Sequence, residues 1–277
     1  MGEVIVITSG KGGVGKTTTT ANIGAALALM GKKVAMIDTD IGLRNLDIVM
    51  GLENRIVYDI VNVAEGVCRP RQALIKDKRF AGLFVMPAAQ SKDKSAITPQ
   101  NMLKMCGELK KDFDYILIDC PAGIEQGFEN AVAAADFALV VTTPEVSSIR
   151  DADRVIGLLE AREICKHSLI INKVRYDMVR KGDMLTVNDI VDILSEDLIG
   201  VIPDDETVIV TTNRGEPAVL SARKSSAGLA YKNIARRICG EAVPICFRVE
   251  GQRKKENFFK KIFRVGFLYN EEEEYRI

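Results

Sequence analysis

Short apolar runs recur along the chain at Val4–Thr8, Val34–Asp38, Leu83–Pro87, Tyr115–Asp119, Ala138–Thr142, Leu169–Asn172 and Ile199–Pro203. Most are rich in Val and Ile and lack polar alternation, which is the pattern of strands buried on both faces of a parallel sheet. Between them, apolar residues follow helical spacing over Thr17–Met30, Gln100–Lys111, Glu125–Ala135, Ser147–Glu163, Val187–Leu194 and Ala227–Gly240. Strands alternating with helices make crossover units. The pattern therefore predicts an α/β fold, a doubly wound, mostly parallel sheet covered by helices on both faces. No internal repeat or Pro/Gly/Ser-rich linker interrupts it before about residue 248. One domain is expected over 1–247, and a tail of different composition over 248–277.

Composition narrows the function classes. The 277 residues carry 38 Lys+Arg against 38 Asp+Glu, and 47% are hydrophobic. That is enough apolar mass for a sizeable core, and the zero net charge argues against a chain that coats nucleic acid or stays extended by self-repulsion. No apolar run reaches the roughly 18 residues of a membrane-spanning helix. The first residues lack a basic segment and their apolar stretch, Val4–Ile7, is short, so no secretion signal is expected there. Cys68, Cys106, Cys120, Cys165, Cys239 and Cys246 are scattered without a Cys-x-x-Cys pair. They read as reduced, buried thiols. His167 is the single histidine, which counts against a histidine-ligated metal centre and against a Ser–His triad.

The chemistry concentrates in Gly10-Lys11-Gly12-Gly13-Val14-Gly15-Lys16-Thr17, followed by Thr18. The run fits G-x-x-x-x-G-K-[ST] and lies between a predicted strand and a predicted helix, the context of a P-loop NTPase. Glycines let the backbone turn its N–H groups onto phosphate oxygens, and the helix N-terminus adds positive potential. Lys16 is placed to reach the β- and γ-phosphates, and the Thr17 hydroxyl to ligate Mg²⁺. Ligands of open parallel sheets bind at the carboxyl ends of strands, where Asp38, Asp40 and Asp119 are expected. Asp119 closes an apolar run and reads as the acid that contacts Mg²⁺ through water. Spacing alone does not rank Asp38 against Asp40, and it leaves Asp47 as a helix cap or surface turn. Asn172 and the Pro203-Asp204-Asp205 turn read equally as base contacts or as strand-to-loop punctuation.

Gly-Lys-Gly-Gly-Val-Gly-Lys-Thr resembles the deviant Walker A motif of the MinD/ParA ATPases. The resemblance runs from Val4 to about Pro244, through Ile41–Asp47, Val57–Asp59, Gln72–Arg79, Pro121–Glu125, Pro144–Asp151 and Arg180–Leu185. It implies an ATPase that binds ATP and Mg²⁺ and hydrolyses ATP to ADP and phosphate. It assigns Lys11 to the partner's nucleotide across a sandwich dimer, Asp40 to the catalytic switch I position, and Asp38 to the neighbourhood of the metal. It further places the Gly123 N–H at the γ-phosphate, and Asn172, Pro203 and Asp205 around the base. For division-site members it implies an ATP-bound homodimer on anionic lipid at the inner face of the cell membrane, cytoplasmic otherwise. Such a dimer recruits a MinC-like inhibitor to control septum placement and is discharged by a MinE-like activator. Ser147–Arg162 would help receive both partners. Two other readings stay open: a ParA-like partitioning ATPase that binds DNA, and a nucleotide-gated scaffold with negligible hydrolysis.

The tail carries a second pattern. At helical spacing over about 255–268, Phe258, Phe259, Ile262, Phe263, Val265 and Phe267 share one side. Lys260, Lys261 and Arg264 share the other, with Leu268 breaking the pattern. An aromatic face opposite a basic face suits a C-terminal amphipathic helix lying in a membrane interface. Docking on the protein's own core, or binding nucleic acid, are the alternatives. Burying five or six large apolar side chains gives at most roughly 1.5–3 kcal/mol each. Ordering the segment costs about 1–2 kcal/mol per residue. One tail should bind weakly and two tails on a dimer far more strongly, because the second attachment is intramolecular. Glu271–Glu274 follow and should be repelled by anionic headgroups.

Overall fold

The strand that precedes the glycine loop, β1 (Glu3–Thr8), lies at the centre of the sheet, as its unbroken Val/Ile run requires. The computed structural model describes residues 1–92, 96–221 and 223–245. The expected tail helix and the boundary at 247 lie outside the described residues. The other strands are β2 (Val34–Asp38), β3 (Ile75–Lys76), β4 (Leu83–Met86), β5 (Tyr115–Asp119), β6 (Phe137–Thr142), β7 (His167–Val174) and β8 (Leu198–Pro203). Their spatial order is β3-β4-β2-β5-β1-β6-β7-β8, and every pairing is parallel except β3 with β4. The helices are α1 (Lys16–Leu29), α2 (Leu46–Val49), α3 (Ile60–Ala64), α4 (Pro70–Ala73), α5 (Pro99–Leu109), α6 (Gln126–Val132), α7 (Val146–Glu160), α8 (Tyr176–Lys181), α9 (Val187–Leu194), α10 (Glu206–Thr212) and α11 (Ser226–Ile238).

Both parities of the central strands are buried, which explains their lack of polar alternation. Ile5, Ile7, Met36, Leu117 and Ile170 pack in one cluster with Ile23 and Leu27 of α1 and Tyr231 and Ile234 of α11. Their neighbours Val4, Val6, Ile37, Ile116 and Ile118, on the opposite face, are equally buried. The doubly wound, mostly parallel sheet expected from the sequence is therefore the one observed.

All seven predicted strands form, β2 and β5 with the expected bounds and the others with ends shifted by at most two residues. The elements missing from the sequence reading are the short ones: β3, α2, α3, α4, α8 and α10. Two of the expectations about single residues are corrected. Cys165 is exposed and Cys239 half-buried, so only Cys68, Cys106 and Cys120 behave as buried thiols among the described residues. Asp47 is not a surface turn: it sits in the first turn of α2, buried, with its carboxylate 3.1 Å from the Arg44 guanidinium. A buried acid requires such a partner.

Candidate functional site

The start of α1 is built to receive an anion. α5, α9 and α11 carry side-chain N-caps, Thr98, Thr186 and Ser225. α1 has none: its N-cap is Gly15 in the left-handed conformation, and its first turn holds no acid. The orphan N–H groups and positive end of the helix are thus left for a ligand. The loop before it is fixed from outside. Asn172 Nδ2 donates to the Val14 carbonyl at 2.8 Å and Lys173 Nζ to the Gly13 carbonyl at 2.7 Å. In a planar peptide the N–H points opposite to the C=O. Holding these two carbonyls toward the end of β7 therefore turns the Val14 and Gly15 N–H groups the other way, into the loop. Gly15 (φ 100°) is doubly required, because a Cβ there would lie 2.4 Å from Asn172 Nδ2. Gly10 is required by packing, since its Cβ would meet the Asp151 carbonyl oxygen of α7 at 2.3 Å.

Lys16, Thr17, Asp38 and Asp119 are brought together. Asp38 and Asp119 end adjacent strands in direct register, and Asp119 pairs on its other side with Ile7 of β1. Lys16 is buried at the mouth of the loop, its Nζ 2.9 Å from Ser9 Oγ. The Thr20 hydroxyl donates to Asp119 Oδ1 at 3.2 Å, and Thr17 also bonds this carboxylate. Burial pushes the Asp119 carboxyl well above the ordinary range, and the nearby Asp38 raises it further, while Thr17 and Lys16 act the other way. Burial also raises Asp38, against the N–H groups of Leu46, Asp40 and Asn45. Two adjacent buried acids, both raised by burial, beside a loop threonine and one ammonium, fit a divalent cation. Thr17 and Asp119 are the side chains best placed to hold Mg²⁺.

Asp38 has a further task. Its Oδ1 accepts from Asp40 N–H at 2.9 Å, and Oδ2 accepts from Asn45 and Leu46 N–H at 3.0 Å each. The strand end therefore orders the whole turn that carries Asp40. Arg44 adopts φ 48° in that turn, an unusual conformation for a non-glycine residue. Gly123 (φ 94°) follows the end of β5, and Gly12 lies beside Ala122 of the same turn.

Three expectations gain or change meaning here. Asn172 is 5% exposed, and its Oδ1 accepts from Lys173 N–H while Nδ2 holds the loop, so its observed work is positioning the phosphate loop. Lys173, in the left-handed region (φ 56°), shares that work and was missed by the sequence reading. The available signal was a lysine directly after the strand-end asparagine. Asp205 is a helix cap in this structure. It accepts from Thr207 N–H (2.9 Å), Ser225 Oγ (2.8 Å), Ser226 Oγ (3.2 Å) and Ala227 N–H (3.1 Å), joining the starts of α10 and α11. Pro203 sits at the end of β8 opposite Val174, one strand from Asn172.

Desolvation alone would raise the Asp205 carboxyl; the Ala227 and Thr207 N–H groups and the Ser225 hydroxyl bring it down to about 2. A depressed folded value gives stability that is complete above the ordinary carboxylate value of about 4 and is lost as pH falls through the folded value. Asp205→Ala should remove the N-cap of α10 and the acceptor for Ala227 N–H at the start of α11, each worth about 1 kcal/mol, and lower Tm by about 4–8 °C at neutral pH. Calorimetry checks this, and an unchanged Tm would show that the caps carry no stability.

Lys11 points elsewhere. Its Nζ lies 3.1 Å from Glu145 Oε2 and 3.0 Å from Ser147 Oγ, at the start of α7, and it stays 39% exposed. Sequence reasoning did not find Glu145 as its partner.

The CobQ/CobB/MinD/ParA nucleotide binding domain family matches residues 5–218. The septum site-determining protein MinD of Bacillus subtilis (strain 168) is 59% identical over 247 residues, covering 88% of this chain and 92% of that protein. The chain belongs to the MinD family. Two solved structures of MinD proteins agree. The MinC:MinD complex of Aquifex aeolicus is 54% identical with TM-score 0.83, covering 88% of this chain and 99% of that one. The MinD of Pyrococcus horikoshii OT3, complexed with Mg-ADP, is 30% identical with TM-score 0.78, covering 86% and 96%. Members of the MinD/ParA family are P-loop ATPases. Membership in MinD favours septum placement over DNA partitioning among the readings that the loop alone left open.

Proposed function

We propose that the chain is a Mg-ATP-dependent switch that dimerises on binding ATP, attaches to the inner membrane face and recruits a division inhibitor. Its place in a family of septum site-determining P-loop ATPases supports the coarse reading. The observation that carries the finer one is the contrast between the two loop lysines. Lys16 is buried at the mouth of its own phosphate loop, whereas Lys11 reaches outward to an exposed carboxylate. An exposed ion pair of this kind is worth about 0–1 kcal/mol. Lys11 therefore exchanges Glu145 for a triphosphate of higher charge on a second copy at little cost. Lys16 and the loop N–H groups bind the phosphates, Thr17 and Asp119 hold Mg²⁺, and Asp40 positions the attacking water. Mg²⁺, when bound there, would neutralise phosphate charge.

The exposed face of α7, with Arg150, Asp153 and Arg154, is the proposed seat of a MinC-like inhibitor and a MinE-like activator. The Aquifex aeolicus MinC:MinD complex supports the first of these. Light scattering of the full chain with Mg²⁺ and a non-hydrolysable triphosphate should give a dimer, and with ADP a monomer. A chain that remains single with the triphosphate would defeat the proposal.

Membrane attachment rests on the aromatic and basic faces of the tail. Phe263→Glu places a charge in the centre of the apolar face, opposing burial worth roughly 1.5–3 kcal/mol per tail. Two tails per dimer compound the loss. Co-sedimentation with anionic vesicles at fixed ATP should fall at least tenfold. Retained ATP-dependent sedimentation would refute the assignment.

A further inference from the structure

Away from the nucleotide site, three elements bring one imidazole and two carboxylates together. Glu160 ends α7, His167 opens β7, and Glu196 lies in the turn between α9 and β8. One donor atom from each lies within 4.8 Å of the other two. His167 Nδ1 is 2.7 Å from Glu196 Oε2, and the two side chains are only 9% and 11% exposed. Glu160 stands at the exposed edge of the group.

We propose that Glu160, His167 and Glu196 form a site for one divalent transition cation of the Zn²⁺ class. The charge arithmetic favours it. Even with a protonated imidazole the trio carries a net negative charge, whereas two carboxylates and a neutral imidazole balance one divalent cation. The donor set is mixed nitrogen and oxygen, which selects a borderline cation over Mg²⁺. Three protein ligands leave a fourth, open position for water. Metal–ligand bonds of about 2.0–2.1 Å set donors about 3.3 Å apart in a tetrahedron. Reaching that geometry needs only a slight opening of the His167–Glu196 contact and a rotation of the exposed Glu160. Glu163 (φ 61°) lies between Glu160 and His167, and Ser195 (φ 53°) immediately precedes Glu196. The other two non-glycine residues with positive φ among the described residues, Arg44 and Lys173, both flank the nucleotide site. The solitary histidine counted against a histidine-ligated metal centre, and the proposal departs from that expectation because the fold brings this one imidazole together with two carboxylates.

The test uses the full chain without nucleotide, with excess Mg²⁺ present, titrated with Co²⁺ as a coloured surrogate and with Zn²⁺ by calorimetry. One metal per chain is expected, with visible Co²⁺ bands and no sulfur-to-cobalt charge-transfer band. Glu160→Gln and His167→Gln should each weaken binding at least tenfold, whereas Cys165→Ser should leave it unchanged. Because Glu160 is exposed, its variant should melt like the parent without metal and lose the Zn²⁺-induced rise in Tm. Absence of stoichiometric binding would overturn the site, as would binding unaffected by Glu160→Gln or abolished by Cys165→Ser. The contact would then be a hydrogen bond between His167 and Glu196 alone.

Discussion

Lys16→Ala should lower the affinity for Mg-ATP by about 100-fold or more and abolish turnover. The loop places one ammonium at its mouth, within hydrogen-bond distance of Ser9 Oγ and close to the buried Asp119. When phosphate enters, that ammonium exchanges a neutral hydroxyl for anionic oxygens. Each charge-assisted hydrogen bond contributes about 1.5–3 kcal/mol, and a lysine reaching two phosphates makes at least two. The loss is therefore about 3 kcal/mol or more, which is the 100-fold just stated. The deletion also leaves the Asp38–Asp119 pair without a neighbouring positive charge, so an incoming polyanion meets unopposed acids. Calorimetric titration with a non-hydrolysable triphosphate measures the effect. Lys16→Arg separates charge from shape: it keeps the cation but has a wider head in a buried slot, and it should recover binding only in part. If Lys16→Ala bound Mg-ATP within a few-fold of the parent, the phosphate-loop assignment would fail.

The reason Lys16 was legible without a structure is that its chemistry is local. Spacing within eight residues specifies the loop, and the strand and helix around it are long enough to show their periods. The same holds for β2 and β5, whose apolar runs end in Asp38 and Asp119. Burial on both faces writes itself into sequence as an unbroken run. Short elements leave no such record. α2 and α4 have four residues each and β3 has two, too few for any period to repeat. Partnerships across the fold were equally illegible. Lys173 reaches Gly13 over 160 positions, and Lys11 reaches Glu145 over 134. Asp205 shows a different gap: its place after a strand suggested a ligand contact, and nothing in the sequence showed the four hydrogen bonds by which it joins two helix ends. Strand-end position predicts where such a residue lies, and the count of internal donors around it decides whether anything remains for a ligand.

Lys11→Ala should bind Mg-ATP within a few-fold of the parent and yet hydrolyse it at least about 1,000-fold more slowly under conditions that promote dimers, the scale of a cation supplied across an interface. The monomer loses little, because Lys11 contributes only an exposed ion pair with Glu145 and a hydrogen bond to Ser147. A role within the same chain would produce the same single-mutant phenotype, so the decisive measurement mixes two inactive variants. Asp40→Ala retains Lys11 but lacks the group that positions water; Lys11→Ala retains Asp40 but lacks the bridging ammonium. In a mixed dimer the Lys11→Ala site regains a lysine from its partner and keeps its own Asp40, so one complete site is rebuilt. Random pairing makes half the dimers mixed, each with one of two sites intact, and turnover per chain should return to about a quarter of the parent value. If the mixture stays as inactive as its components while co-purification of differently tagged chains shows mixed dimers, Lys11 acts on its own nucleotide and the sandwich arrangement is wrong. Glu145→Ala supplies the complementary arm. Removing the carboxylate that holds Lys11 in the single chain frees the ammonium, so dimerisation should occur at the same or lower triphosphate concentration. A marked loss of dimerisation in that variant would instead make Glu145 part of the paired interface.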